Sequence, residues 1–150
     1  MSTIQQAPSP VRPTTRSASV QHLKAFDFAT AAEMSSVPVL RRLARRVVQG
    51  WHLPESVEEA VGLIVTELAS NAVRHSGSPD VDLRITLVEG RLVLHVQDFG
   101  SWRVPSPSEP VEEEACSGRG LDLVAAFAAH CEIVRTAGGT RVVAEILLPE

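Results

Sequence analysis

The sequence is poor in the features that mark secreted, membrane-spanning or metal-stapled proteins. It has only two cysteines, Cys116 and Cys131, which stand far apart without CxxC spacing or clustered histidines. Neither a disulfide framework nor a zinc site is expected, and both read as reduced thiols. No apolar run approaches the roughly 18 residues needed to cross a bilayer. A basic-then-apolar leader pattern is also lacking, so a cytoplasmic location without a membrane partner is expected. There is no basic excess either: the formal net charge is -4, which gives no reason to expect non-specific nucleic-acid binding. What remains is a chain of 150 residues, 44% hydrophobic and 21% charged. That is enough for one globular domain with a real core and too little for two comfortable ones.

Residues 1–18 are rich in Ser, Thr, Pro and Gln and hold almost no large apolar side chains. They cannot bury enough surface to offset the entropy of ordering, and we read them as a disordered tail preceding a single domain over 19–150. Residues 20–29 alternate with period two, placing Phe26 and Phe28 on one strand face. Ser35 and Ser36 then offer a helix cap, with Pro38 tolerated in the first turn. Val39, Leu40, Leu43, Ala44, Val47, Val48 and Trp51 follow as an amphipathic stripe that Gly50 closes. Its opposite face carries Arg41, Arg42, Arg45 and Arg46, which could receive an acidic protein or nucleic acid or could be a solvated helix face.

A second helix begins near Pro54, with Glu55, Glu58 and Glu59 at its positive dipole end and Gly77 beyond its far end. Its last three turns read Thr66-Glu67-Leu68-Ala69-Ser70-Asn71-Ala72-Val73-Arg74-His75. Glu67, Asn71 and His75 fall at i, i+4 and i+8, so a carboxylate, an amide and an imidazole line one side. Leu63, Ile64 and Leu68 lie beside them on the apolar stripe, so the polar row is expected to border the core. By itself the row also fits an ordinary exposed helix pair.

Val81, Leu83, Ile85 and Leu87 alternate with polar residues, and Glu89-Gly90 turns the chain into a second strand, residues 91–98. In that strand the face of Leu92, Leu94 and Val96 also carries Asp98. A carboxylate at the end of a buried face is costly unless it is paired, and Gly100 two residues later permits close approach by a ligand. Asp98 could equally start an ordinary turn. Residues 101–117 contain three prolines and four glutamates without periodicity and read as a long loop, a candidate lid. Gly118-Arg119-Gly120-Leu121 leads into an amphipathic helix that ends near His130. Glycines opening a helix free N–H groups toward an anion, phosphate chemistry in outline, although no Walker lysine motif is present. Two strands, 131–135 and 140–148, joined by residues 136–139 form a terminal hairpin, with Thr140, Val142, Ala144, Ile146 and Leu148 on one face.

In order, the boxes are ELASNAVRH, Asp98-Phe99-Gly100, a lid, Gly118-Arg119-Gly120-Leu121 and Gly139-Thr140. This order resembles the GHKL (Bergerat-fold) ATPases, and among them the anti-sigma-factor serine/threonine kinases of actinobacterial type, over roughly residues 20–149. The resemblance implies a two-layer α/β sandwich: a mixed, mainly antiparallel sheet with helices on one face. It implies ATP and Mg2+ as cofactors, with Asn71 a Mg2+ ligand and Glu67 the general base toward a serine or threonine hydroxyl. Asp98 would accept from the adenine amino group, Gly100 would let the base approach, and Thr140 would face the same pocket. Gly118, Gly120 and Leu121 would shape the phosphate cradle, with Arg119 reaching a phosphate. The implied partners are a sigma factor and an anti-anti-sigma (STAS-type) protein, with no direct nucleic-acid contact. Similar proteins pair through a sheet edge or first strand, so a homodimer through residues 20–29 stays open.

Two departures bear on activity. Trp102 stands where the family often has a second glycine, and the acidic lid has no glycine between Gly100 and Gly118. The competing reading is a module that grips a partner and uses ATP, or an empty pocket, only to set its shape. A nucleic-acid regulator acting through Arg41–Arg46 is disfavoured by the net charge and by the absence of a recognition-helix pattern.

Overall fold

The computed structural model describes residues 23–75, 77–100 and 121–149, and for residues 112–115 the backbone. The chain order is β1 (Lys24–Ala31), α1 (Ser36–Gly50), α2 (Glu55–His75), β2 (Asp80–Val88), β3 (Arg91–Asp98), β4 (Glu112–Ala115), α3 (Asp122–Phe127), β5 (His130–Thr136) and β6 (Gly139–Leu147). The tail expected over 1–18 lies outside the described residues.

The strands form one sheet in the order β1-β2-β3-β6-β5-β4, antiparallel at every described pairing. The β2–β3 connection is the two-residue turn Glu89-Gly90, with φ of 44° and 75°. Those positive values are what a turn matching strand twist requires. Alternation then decides the faces. Val81, Leu83 and Ile85, Leu92, Leu94 and Val96, and Val142, Ala144 and Ile146 are all buried, and the helices pack on that side.

Helix α2 lies over β2, β3 and β6 and carries α1 on its flank. Val57, Ala60, Val61, Ile64, Val65, Leu68, Ala69 and Ala72 form its buried side. Each fully buried Leu or Ile there contributes about 2 kcal/mol relative to exposure. Leu63 departs from the expected stripe. It is 41% exposed, because it stands one turn before Glu67 on the row that faces outward. Glu58 departs as well. Instead of only facing the helix dipole, it is buried and ties α2 to α1, accepting from Arg45 Nε at 3.2 Å and Gln49 Nε2 at 2.6 Å. At the start of α1 the predicted serine cap is not made: Ser35 has helical backbone angles and no side-chain cap bond, and its hydroxyl donates to Glu33 Oε2 at 3.5 Å.

Three expectations along the second half of the chain change. The long loop over 101–117 is not wholly irregular, since Glu112–Ala115 is an edge strand paired to β5. Run-on charge hid it, because β pairing is selected by the partner strand as much as by local propensity. The helix after Leu121 is shorter than expected, ending at Phe127, and its chain then turns extended at Ala128. Cys131 is disulfide-bonded, which corrects the expectation of reduced thiols. Linear separation concealed this: Ala115 pairs with Glu132, and the only other cysteine, Cys116, directly follows Ala115 in the sequence.

Candidate functional site

Two groups of polar residues meet the buried face from different elements. The first is on α2. Glu67 is half-buried, and one turn later Asn71 is buried, with 6% exposure. The Asn71 Nδ2 has no hydrogen-bond partner among the described residues, a costly state for a buried amide. Because amide N and O positions are interchangeable by a flip, this side chain can present either a donor or an oxygen ligand to something that completes it. The His75 side chain lies outside the described atoms.

The second group is at the ends of β3 and β6. Asp98 is 1% exposed and Thr140 2% exposed, and they are direct cross-strand partners. The buried carboxylate required donors, and the backbone supplies them: Gly100 N–H donates to Asp98 Oδ1 at 3.2 Å and Thr140 N–H at 3.3 Å. Gly100 thus has a part beyond permitting ligand approach. These charge-assisted bonds fix the carboxylate's orientation at the mouth of the helix–sheet layer. Helix α2 packs on β3 and β6, so Asn71 and Asp98 are borne by elements in direct contact. Leu121, 1% exposed, anchors the start of α3, where its carbonyl accepts from Ala125 N–H at 3.0 Å. Gly118, Arg119 and Gly120 lie outside the described residues, as does Trp102.

Two further residues support the strand-end group, and a third lies on its cross-strand row. Gly139 has φ of 147°, and a Cβ there would lie 2.0 Å from the Asp98 carbonyl oxygen, so only glycine lets β6 begin this close to the Asp98 turn. Ser78 is buried. Its Oγ accepts from Phe99 N–H at 3.0 Å and donates to Asp80 O at 2.6 Å, joining the chain after α2 to the Asp98-Phe99-Gly100 turn. Arg135 pairs with Thr140 on β5, which puts it on the same cross-strand row as Asp98 and Thr140. For Gly139 the sequence signal was a Gly-Gly pair, and for Arg135 it was alternation with Cys131 and Ile133. Ser78 gave none, since a serine in a Ser-Gly-Ser-Pro turn is ordinary turn chemistry.

Glu67 also opens toward α1. With Arg41, Arg45, Glu59, Gly62, Leu63 and Thr66 it lines a concave space of about 390 Å³ between the two helices. No cluster of three His, Cys, Asp or Glu side chains suited to a metal exists among the described residues. A hard cation here would therefore draw on Asn71 together with ligands the protein does not provide, as Mg2+ commonly does with phosphate oxygens.

The resolved ionisation shifts lie elsewhere. His95, on the helix-free face of the sheet, is held below the usual histidine value by burial first and then by Arg141 and Arg84. Asp82 is raised by burial and by the neighbouring Asp80 and Asp27.

No curated protein matches the sequence significantly. Among solved structures, the RsbU and RsbW domains of Rv1364c from Mycobacterium tuberculosis match with a TM-score of 0.67 at 19% identity. That match covers 83% of this chain and 32% of the other, so this chain spans about a third of that solved chain's length and shares the fold of the part it matches. The family profile of the histidine kinase-like ATPase domain matches residues 30–146, a span that contains Glu67, Asn71, Asp98, Gly100, Leu121 and Thr140. The chain belongs to the histidine kinase-like ATPase domain family.

Proposed function

We propose that the protein is an ATP-binding, anti-sigma-factor-like serine/threonine kinase that sequesters a sigma factor and phosphorylates an anti-anti-sigma partner. The observation that carries this reading is the buried Asn71, whose Nδ2 has no partner among the described residues, one turn from the carboxylate of Glu67 on a helix packed over the strands that present Asp98 and Thr140. Such a donor set suits a hard cation and an adenine nucleotide. MgATP, when bound, supplies the phosphoryl group and neutralises charge developing on it.

The chain's own residues would act as follows. Asp98 holds the adenine amino group, and its orientation is fixed beforehand by the N–H groups of Gly100 and Thr140. Asn71 holds the cation through its amide oxygen. Glu67, at the rim, takes the proton from the acceptor hydroxyl as the hydroxyl attacks, a role worth about 10²–10⁴ in rate. The new phosphate adds charge and acceptor oxygens to the partner and drives it from the complex.

The test is transfer of labelled γ-phosphate by purified protein with Mg2+ and candidate anti-anti-sigma proteins, with nucleotide binding measured in parallel. Transfer that falls at least about 100-fold in both Glu67→Ala and Asn71→Ala is the expected result. Nucleotide binding without transfer to any candidate would favour the non-catalytic module that Trp102 suggests. No nucleotide binding at all would remove ATP from the account.

A further inference from the structure

The groove between α1 and α2 has features that ATP chemistry does not use. Helix α1 carries four arginines and no acidic residue. Arg45 is matched by Glu58, at 3.1 Å, and Arg41 leans on Thr66 Oγ1 at 3.5 Å. Arg42 and Arg46 have no ion-pair partner among the described residues. They are exposed and line a second concavity of about 360 Å³ with Val39 and Leu43, on the same helix that walls the Glu67 groove. A cationic surface on a chain of net charge -4 is a local feature, not a reflection of the whole protein's charge.

Gly62 is part of the groove's lining. A Cβ at Gly62 would stand 3.1 Å from Arg45 Cδ, so the missing side chain gives the Arg45 stem room against α2, while Arg41 Cγ, at 3.7 Å, would be in ordinary contact. Leu63, 41% exposed, gives the groove an apolar contact on α2, and Val39, 42% exposed, gives one in the concavity beside Arg42 and Arg46. Glu67 lines the same space as Leu63.

We propose that this groove docks the acceptor segment of the protein substrate, and that it selects an aliphatic residue close to the acceptor hydroxyl and acidic residues farther along, toward Arg42 and Arg46. The proposal rests on the kinase reading for the role of Glu67. The docking itself rests on charge complementarity and on the exposed aliphatic contacts. Leu63 is one helical turn from the base, so an aliphatic side chain seated on it brings a neighbouring serine or threonine to Glu67. Arg42 and Arg46, one turn apart on α1, suit carboxylates spaced along an extended segment. An acidic segment would also be steered to this face and released by salt.

The test uses three fluorescein-labelled 15-residue peptides, each with one central serine: one with Leu beside the serine and Glu beyond it, one with the same Leu and Lys in place of Glu, and one with Glu but Ser in place of Leu. Binding to the full-length protein with Mg2+ and a non-hydrolysable ATP analogue is read by fluorescence anisotropy. The Leu/Glu peptide is expected to bind at least about tenfold tighter than the Lys peptide and severalfold tighter than the peptide lacking Leu. In the double variant Arg42→Glu, Arg46→Glu the charge preference should vanish or invert, and Leu63→Asp should erase the preference for Leu. Affinity for a fluorescent ATP analogue should be unchanged in the charge variant, which with an unaltered circular dichroism spectrum shows an intact fold. Equal binding of all three peptides, including no detectable binding, overturns the groove assignment, as does a preference that survives the charge reversal. Phosphate transfer to the bound peptide is scored separately. Selective binding without transfer leaves the groove standing and counts against the kinase reading alone.

Discussion

The two halves of the candidate site are held in place by different physics. Asn71 and Glu67 ride on a 21-residue helix whose neighbours Leu68, Ala69 and Ala72 are buried in the common core. Their position is an average over many apolar contacts, none of which is individually decisive. Asp98 and Thr140 sit at strand ends, where two backbone N–H groups, one serine hydroxyl and one absent side chain set the geometry. The helix half should therefore answer to volume, and the strand half to single atoms.

The sharpest way to break this contrast is Gly139→Ala. The new methyl must displace the Asp98 backbone in a conformation that L-residues resist, so strain and overpacking of about 1–3 kcal/mol each should sum to about 4 kcal/mol. The measurement is urea denaturation together with nucleotide affinity, both of which should suffer. Next is Leu68→Ala, expected to cost about 3 kcal/mol of stability by creating a cavity. If the helix half is held collectively, the folded fraction of this variant should keep close to normal nucleotide affinity. A large loss of affinity would mean that Asn71 depends on Leu68 alone.

Smaller in stability but more telling is Ser78→Ala. It should cost about 1–2 kcal/mol, since the Phe99 N–H loses its acceptor, and should lower nucleotide affinity out of proportion to that cost. An unchanged affinity would show that the Asp98 turn holds itself without the link to the end of α2.

The smallest effect is expected outside both halves. His95 is depressed below its ordinary value of 6.5, so well above that value neither the folded nor the unfolded chain binds the proton. As pH falls through 6.5 the unfolded chain takes it up while the folded chain resists, and stability drops until pH passes below the lowered folded value. His95→Gln should flatten this acid-side loss in urea midpoints measured between pH 7.5 and about 5. It should leave nucleotide affinity alone, because His95 lies on the helix-free face. An affinity change would couple that face to the site.

Much of this architecture was legible in the sequence, and two of its errors have a common cause. Period-two alternation placed β2, β3 and β6 and their buried faces, because each residue's side is fixed by its own strand. Period 3.6 likewise placed Ile64 and Leu68 on the buried side of α2, but it wrongly added Leu63. The edge strand Glu112–Ala115 and the bond at Cys131 were not legible, since both depend on which strand lies alongside. The cost of burying Asp98 was visible in residues 92–98, whereas the identity of its donors was not: Thr140 lies 42 positions away.

By itself, then, the sequence determined which residues prefer helix or strand, which sides turn inward, and which polar groups would stand at the border of the core. Those properties follow from local backbone geometry and apolar periodicity. Tertiary structure alone decided that Asp98 is met by Gly100 and Thr140, that Ser78 ties the chain after α2 to the Asp98 turn, and that Gly62 gives the Arg45 stem room beside the groove that Glu67 lines. Each of these is a contact between segments, set by distances of a few ångström that arise only when helix and sheet layers close on one another.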